Sequence, residues 1–362
     1  MPTFIPGLEL NKKFYLSVVK PILEKNYPKL KYSAARIGFG SDVLGYDTYR
    51  STDHDWGPRL ELFLREQDYS LYKDEIYNQL SKELPKNFMG FSTNWREADE
   101  NGVRTLRPID EEETVKHRIE IHTVKSFFKN LLGKDPAKEL SEIDWLKFPE
   151  QRLLAVTSGA IYHDGLKQLT FARKKFQYYP QNIWLYLLKN QWAILREENA
   201  FLGRTAEIGD EIGLHILIAK QIRKMMKLCF LVEKKYAPYN KWFSKAFRTL
   251  KSSKQLVPLI KKILSTNDWS QKEKQLIQAY SYVAKMHNEQ EITETIEVKI
   301  TTYYDRPYLT INFHDFVEKI NEKIPNNSLL KELKIGSINQ ITDETFILDD
   351  LALIQSLYEQ FK

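Results

Sequence analysis

Three acidic residues occur in a pattern that a divalent cation could bridge. Asp53 and Asp55 lie in the stretch GFGSDVLGYDTYRSTDHDWGPRLELFL, and Glu120 lies between two isoleucines further along the chain. If residues 53–64 form a strand, side chains two apart point to the same face, so the two aspartates project together. Hard cations such as Mg²⁺ or Mn²⁺ prefer carboxylate and phosphate oxygens. The pattern therefore predicts Asp53, Asp55 and Glu120 as metal ligands, with the alternative that water solvates the acids.

A glycine–serine pair, Gly40 and Ser41, precedes the aspartates by eleven intervening residues. Glycine allows backbone N–H groups to approach a phosphate closely, and the serine hydroxyl adds a donor. An ordinary chain turn is the alternative for such a pair. Only the order favours a phosphate site: Gly-Ser, then Asp-x-Asp, then a glutamate between hydrophobic residues.

That order resembles the signature of the polymerase-beta-like nucleotidyltransferase superfamily, which includes aminoglycoside and lincosamide nucleotidyltransferases. The resemblance covers roughly residues 30–170. Over most of the chain, the stretches STDHDWGPR, YYPQNIW, FLGRTAEIGDEIG and YAPYNKWFSKAF are similar to an uncharacterised bacterial family of predicted nucleotidyltransferases. The sequence departs from the superfamily pattern at His54, where an aliphatic residue is usual, and at Thr52, which separates Ser51 from Asp53.

The resemblance implies transfer of a nucleoside monophosphate from a nucleoside triphosphate to a hydroxyl, with release of pyrophosphate. It implies catalytic roles for Asp53, Asp55 and Glu120, with Glu120 either binding a second ion or taking the acceptor's proton. We expect a small hydroxylated acceptor, such as an antibiotic or metabolite. A protein side chain, a tRNA end, or a non-catalytic nucleotide-binding regulatory role are the alternatives.

Residues beyond position 180 supply further candidates for nucleotide binding. Lys241 could reach the triphosphate and Tyr239 could stack on the base, or both could belong to an aromatic packing corner with lysines extending to solvent. Arg204, expected in a loop between helices, could bind the triphosphate or form a structural salt bridge.

Several other charged residues have two interpretations each. Glu198 and Asp210 could act as a general base, or as a surface acid and a helix first-turn charge. Arg59 pairs either with a carboxylate or with a phosphate. The histidines fit no zinc-binding spacing. A basic stripe is either a solvated helix face or an electrostatic funnel for phosphate; its members are Lys220, Arg223, Lys224, Lys227 and Lys234.

Composition sets limits on the class of protein. The 362 residues carry a net charge of +6, which is compatible with binding an anionic small molecule. The sequence lacks the basic clusters that are typical of a nucleic-acid binder. Cys229 is the only cysteine, so no intramolecular disulfide or cysteine-based zinc site can form, and its apolar neighbours predict a buried thiol. We expect a cytoplasmic protein, because no signal peptide or membrane-length apolar run is present.

The hydrophobic patterns predict an α+β protein: an N-terminal mixed-sheet catalytic domain, a helical bundle and a small C-terminal α/β segment. The boundaries are 1–178, 179–292 and 293–362, with nucleotide and metal held in a cleft between the first two. Apolar residues at 208, 212 and 216 onward predict a central bundle helix. The predicted strands are 33–39, 53–64, 117–124, a short one in 159–165 and those within 295–313. The predicted helices include 11–28, 69–84, 207–236, 254–265, 270–288 and 346–361.

Overall fold

A computed structural model describes residues 2–100, 102–110 and 113–359. The chain divides into two compact units. The first comprises Met1–Glu139 and Arg152–Gln177, and the second comprises Leu140–Gln151 and Tyr178–Lys362.

The described strands fall into one mixed sheet and two short hairpins. They are β1 (Tyr32–Arg36), β2 (Arg59–Leu64), β3 (Asn87–Phe88), β4 (Phe91–Ser92), β5 (Arg118–Thr123), β6 (Ala160–Asp164), β7 (Ile300–Tyr303) and β8 (Arg306–Ile311).

The described α-helices surround the sheet of the first unit and make up most of the second. They are α1 (Gly7–Phe14), α2 (Lys20–Asn26), α3 (Glu66–Glu83), α4 (Val124–Leu132), α5 (Glu142–Lys147), α6 (Glu150–Thr157), α7 (Gln168–Lys175), α8 (Gln181–Glu207), α9 (Glu211–Val232), α10 (Asn240–Phe247), α11 (Ser253–Ser265), α12 (Trp269–Glu289), α13 (Phe313–Lys323), α14 (Ile338–Ile341), α15 (Thr345–Leu348) and α16 (Leu351–Leu357).

The architecture is the predicted α+β class, with a four-stranded mixed sheet, following helices and a C-terminal strand pair. The sheet order is β5-β2-β1-β6, in which β1 is antiparallel to both neighbours and β2 is parallel to β5. A π-helical turn, Tyr15–Val19, joins α1 to α2. The predicted helix 11–28 therefore begins at Gly7.

The two faces of this sheet differ in polarity. Alternate residues of β2 and β5 such as Leu62 and Ile121 join a buried apolar cluster with Phe14 of α1 and Leu80 of α3. The residues between them point to the opposite face, because side chains alternate along a strand. That opposite face carries most of the charged side chains described below.

The segment before β2 corrects one prediction. Residues 49–53 form a 3₁₀ helix, which begins at a reciprocal cap between Thr48 and Ser51. Asp55 follows with a positive φ of 45°, and β2 begins only at Arg59. The prediction of a strand over 53–58 is therefore wrong, and the two aspartates do not share a strand face.

In the second unit, α8 and α9 pack along each other, and α13 packs on α8. The indole of Trp192 stacks on Phe316, with ring centroids 4.5 Å apart. Cys229 is fully buried, as predicted. The stripe predicted for the start of the bundle helix is wrong: Ile208 and Ile212 are 79% and 77% exposed, and Ile216 is exposed as well.

The C-terminal helix predicted over 346–361 is instead two short helices, α15 and α16. Positions 360–362 lie outside the described residues, as do 101, 111 and 112 of the loop predicted over 97–113. None of the described helices combines the length and the hydropathy that crossing a membrane requires.

Helix α8 packs tightly on β8 at Gly203. A Cβ atom on this glycine would lie 2.2 Å from Cγ of Tyr308. We expect Gly203→Ala to lower the free energy of unfolding. Overpacking costs ~1–3 kcal/mol, and the ~1 kcal/mol that alanine gains in a helix offsets only part of that cost. Thermal unfolding followed by circular dichroism measures the loss. In a Tyr308→Ala background the same substitution should become neutral or stabilising; an equal loss in both backgrounds contradicts the steric explanation.

Candidate functional site

The predicted aspartates lie in the irregular segment before β2, whereas Glu120 lies on β5. Asp53 is exposed, and its Oδ1 lies 2.8 Å from Nδ1 of His54. Asp55 accepts a hydrogen bond from Nη1 of Arg118. The side chain of Glu120 is 47% exposed. His54 is also exposed, so its side chain pairs with Asp53 outside the core.

Arg118 lies between two of the three predicted carboxylates. Besides its bond to Asp55, its Nε lies 3.7 Å from Oε1 of Glu120, and its guanidinium lies 5.0 Å from the ring of Trp95. In the described ranges, no three His, Cys, Asp or Glu side chains are arranged to hold a metal ion. As positioned, the three carboxylates do not form a metal centre. The cation between Asp55 and Glu120 is a guanidinium.

A cavity of about 230 Å³ opens on the charged face of the sheet. The bend that follows β1, at Ile37, Gly38 and Phe39, forms part of its wall. Glu61 and Glu120 are directly opposite each other on the parallel strands β2 and β5. The charged or titratable side chains that line the cavity are Arg36, Arg59, Glu61, Arg118, Glu120 and His122.

Most of these side chains were not among the predicted site residues. The sequence did carry a signal for them. In β2 and in β5, charged or titratable residues recur at every second position: Arg59 and Glu61, and Arg118, Glu120 and His122. Such alternation on two neighbouring strands indicates a charged face whose less exposed members need partners. Arg36 gave no comparable signal, because no other charged residue alternates with it along β1.

Arg36 is the centre of a buried charge network. It is 1% exposed, and its Nε and Nη2 donate to the two oxygens of Asp42 at 2.7 and 3.0 Å. Nη1 donates to Glu61 at 3.1 Å and to the carbonyl of Ile37, and Nη2 also donates to the carbonyl of Phe39. Every donor nitrogen of this guanidinium is therefore occupied. The network joins β1, the following bend and β2.

Burial and the guanidiniums have opposite effects on the pKa values of the two acids in this network: burial raises them, and the guanidiniums lower them. Burial raises the pKa of Asp42, but Arg36 and Arg59 outweigh it and hold the pKa at about 2. Burial raises the pKa of Glu61, although Arg36 and the backbone N–H of Ile37 oppose the shift.

Glu120 differs because it is half exposed. The imidazole of His122, with Nε2 3.6 Å from Oε2 of Glu120, lowers the pKa of this carboxyl to about 2, with help from Arg118 and Arg59. Glu120 is therefore ionised at neutral pH.

The charges around the cavity nearly balance. Three guanidiniums, those of Arg36, Arg59 and Arg118, contact four carboxylates.

Gly40 fits the network sterically. Its φ is 148°, and a Cβ atom there would lie 2.1 Å from Oδ1 of Asp42 and within 3 Å of both Arg36 and Arg59. Ser41 is half-buried, and its carbonyl accepts a hydrogen bond from the N–H of Tyr46. The three residues before this pair, Ile37, Gly38 and Phe39, form part of the cavity wall. Phosphate binding by Gly40 and Ser41 stays a prediction.

The other predicted nucleotide contacts belong to the second unit. Tyr239 precedes α10, and Lys241 Nζ lies 5.1 Å from the centre of the Trp242 ring. Arg204 lies within α8, not in a loop as predicted, and its guanidinium is 5.9 Å from the ring of Tyr303. Roles for these three residues in nucleotide binding stay predictions.

Internal contacts account for much of the predicted basic stripe. Lys220 and Lys224 both bind Glu198, at 3.0 and 2.5 Å. Lys234 lies over the ring of Trp184 at 3.9 Å. Asp210 accepts a hydrogen bond from the N–H of Gly213, as a helix cap does. These contacts favour the structural interpretations of Glu198 and Asp210.

Comparisons with known proteins give a partial family match. Residues 145–243 match a family model described as Domain of unknown function (DUF4037), which is about a quarter of the chain. No curated protein matches the chain. A solved structure of a nucleotidyltransferase-like protein from Exiguobacterium sibiricum 255-15 is 12% identical, with 98% of this chain and 91% of that chain covered and a TM-score of 0.32.

The packing at Gly40 gives a test of the bend. We expect Gly40→Ala to lower the midpoint of thermal unfolding, because the added methyl group overlaps a buried carboxylate and two guanidiniums. Gly45→Ala is the matched control: its φ is also positive, at 70°, but no atom lies within 4 Å of the added carbon. The control should show only the backbone penalty of ~1 kcal/mol. Equal losses in the two variants would show that the overlap is absent.

The lowered pKa of Asp42 predicts a pH dependence. Because the pKa falls from 3.8 to about 2 on folding, the stabilisation is complete above pH 4 and is lost as the pH falls toward 2. A shift of this size corresponds to ~2–3 kcal/mol. Asp42→Asn should lack this part of the acid loss and should also cost ~3–5 kcal/mol at pH 7.

Urea unfolding between pH 2 and 7 measures both effects. Asp68→Asn serves as the control, because the ion pair that Asp68 forms among the described residues is with the half-exposed Arg65. A wild-type stability that declines in acid no faster than that of Asp42→Asn would contradict the assignment.

Proposed function

We propose that this protein is a nucleotidyltransferase that moves a nucleoside monophosphate from a nucleoside triphosphate to a hydroxyl of a small molecule. The observation that carries the proposal is the cavity in which Glu61 and Glu120 oppose each other beside Arg59 and Arg118. It lies next to the bend that contains the Gly40-Ser41 pair. Of these residues, Gly40, Ser41 and Glu120 belong to the sequence pattern on which the resemblance rests.

The proposed reaction is a displacement at phosphorus. The acceptor hydroxyl attacks the α-phosphorus, a new P–O bond forms, and the bond from the α-phosphorus to the bridging oxygen breaks. Pyrophosphate leaves with the electron pair, and the hydroxyl proton passes to a carboxylate or to solvent. Catalysis of this kind depends on positioning and charge neutralisation.

The residues divide into two proposed roles. Glu120 is the proposed hydrogen-bond acceptor for the attacking hydroxyl, because it is half exposed, whereas Glu61 is buried and already bound by Arg36. Arg59 and Arg118 are the proposed contacts for the phosphates.

The substrate is proposed to enter as a complex of the triphosphate with Mg²⁺ or Mn²⁺, because such hard cations prefer phosphate and carboxylate oxygens. Metal dependence is part of the proposal. Ligand roles for Asp53, Asp55 and Glu120 require that Arg118 first leaves Asp55 and Glu120, which it contacts in this structure.

One observation favours a second candidate. Because Arg118 holds Asp55 and Glu120 together, a protein that binds a nucleotide without transferring it fits the same contacts. The two functions differ in pyrophosphate release. Both predict that a nucleotide stabilises the folded protein.

The assay incubates the protein with Mg²⁺ or Mn²⁺, each of the four nucleoside triphosphates and pools of hydroxylated acceptors, including antibiotics, sugars and tRNA, and records pyrophosphate. We expect release with at least one pool, and a ~10²–10⁴-fold lower rate for Glu120→Gln, the range for loss of a positioned acid–base group. Glu66→Gln, an exposed carboxylate of α3, is the control and should keep the wild-type rate.

The contrary result is a pyrophosphate rate that is the same background for wild type and Glu120→Gln with every pool. If a triphosphate still raises the unfolding temperature in that case, the nucleotide-binding function replaces the transferase.

A further inference from the structure

The first half of α9 presents an apolar stripe to solvent. Ile212, Ile216 and Ala219 follow the i, i+4, i+7 spacing of one helix face, and all three are exposed. Ile212 and Ile216 keep 77% and 57% of their accessible surface. The buried face of the same turns already carries Leu214 and Ile218. The exposed stripe is therefore additional to the face with which α9 packs inside the chain.

The stripe continues onto α8. The two helices run antiparallel, and Lys220 of α9 lies 3.0 Å from Glu198 of α8. One helical turn closer to the connection, Phe201 occupies α8 and Ile216 occupies α9, so these two side chains are at the same level. Phe201 is exposed, and so is Ile208 at the end of α8. The α8–α9 patch consists of Phe201, Ile208, Ile212, Ile216 and Ala219.

The size of the α8–α9 patch corresponds to the apolar centre of a stable interface. With the exposed fractions of its members, it presents roughly 500 Å² to solvent. The largest apolar patches on monomeric proteins are about 300–600 Å², and they are often functional. A stable interface buries ~800 Å² on each partner, of which a little more than half is apolar. The patch can supply that apolar share.

The pattern of the exposed face identifies the partner as a second copy of this chain. The face is symmetric about the point between residues 215 and 216, because its exposed positions are 211, 212, 215, 216, 219 and 220. If two such faces pack antiparallel at that point, each Glu211 lies opposite a Lys220. Each Ile212 then lies opposite an Ala219. Opposite charges face each other, and a large side chain faces a small one, so the face is complementary to itself.

Both charges that flank the stripe are available to a partner. The Glu211 carboxylate has no ion-pair partner among the residues that the structure describes. Lys220 pairs with Glu198, but Glu198 also binds Lys224 at 2.5 Å. Lys220 can therefore turn to another carboxylate and leave Glu198 paired.

We propose that this protein forms a symmetric homodimer in which the α8–α9 patch of one copy packs on the same patch of the other, with the two α9 helices antiparallel. The two-fold axis passes between residues 215 and 216, and Glu211 of each copy pairs with Lys220 of the partner subunit. The dimer buries apolar residues that have the spacing of a buried helix face. Assembly of this kind is independent of nucleotide transfer.

Sedimentation-velocity ultracentrifugation of the full chain measures the assembly. We expect a dimer at micromolar concentrations. Ile216→Glu should weaken it at least ~100-fold, because each dimer loses two buried isoleucines and gains two carboxylates that face each other. Leu71→Glu is the matched control, since Leu71 is a 71% exposed residue of α3 in the first unit, and it should dimerise as the wild type does. Circular dichroism and thermal unfolding establish that each variant is folded.

Cysteine cross-linking tests the antiparallel register. A disulfide requires Cα atoms ~4.4–6.8 Å apart. Ile216→Cys lies next to the two-fold axis and should cross-link the two copies on oxidation with copper phenanthroline. In this register the two copies of position 212 are about 10 Å apart along the helices, so Ile212→Cys alone should not cross-link, whereas Ile212→Cys combined with Ala219→Cys should. The native Cys229 is fully buried and does not contribute.

Three results overturn the proposal: a chain that stays monomeric up to about 100 µM, a dimer that a folded Ile216→Glu variant leaves unchanged, or cross-linking of Ile212→Cys as efficient as that of Ile216→Cys. A monomer leaves the α8–α9 patch to a different partner. A dimer that is insensitive to Ile216→Glu places the interface elsewhere. If Ile216→Glu does not fold, the cysteine variants decide, because cysteine is a small, largely apolar side chain.

Discussion

The buried ion-pair network around Arg36 is the interaction on which the first unit depends. A guanidinium in the protein interior is tolerated only when its charge and its hydrogen bonds are matched. Here Asp42 and Glu61 match the charge, and two backbone carbonyls take the remaining donors. Because these partners come from β1, from the bend and from β2, the network fixes the bend against the sheet. It also explains why position 40 must be glycine.

This network determines what is left for the cavity. Asp42 and Glu61 accept hydrogen bonds from Arg36, so their carboxylates are not available to a ligand that enters from solvent. Arg59 receives only the remaining share of Asp42, and Glu120 keeps half of its side chain exposed. The result is a wall with one under-bonded cation and one accessible carboxylate. Such a pair can distinguish an anionic group from a neutral hydroxyl, as a transfer between a phosphate donor and an alcohol requires.

The sequence predicted the regular elements better than the residues that meet between them. Alternating apolar positions identified β2 and β5, because a half-charged strand face leaves a period of two in the sequence. The same alternation was wrongly extended back to Asp53, since a 3₁₀ turn capped by Thr48 looks no different from a strand over so few residues. Contacts such as Arg36 with Glu61 are invisible in sequence, because tertiary packing alone decides which opposite charges meet. Helical spacing can also mislead: Ile208 fits the apolar period of a buried helix face, but it is exposed.

The ion pairs around the cavity differ in how much each contributes to the stability of the fold. Arg36 and its acids are buried, and breaking such a pair costs ~3–5 kcal/mol because a charge is left without a partner. Asp55, Arg118 and Glu120 retain access to solvent, and pairs of that kind contribute ~0–1 kcal/mol. A rearrangement that admits a cation or a phosphate therefore falls on Arg118 and its two carboxylates, while the Arg36 network keeps its geometry. The carboxylates predicted to do the chemistry therefore have the weaker, solvent-accessible ion pairs, and the buried pairs belong to side chains that the sequence did not reveal.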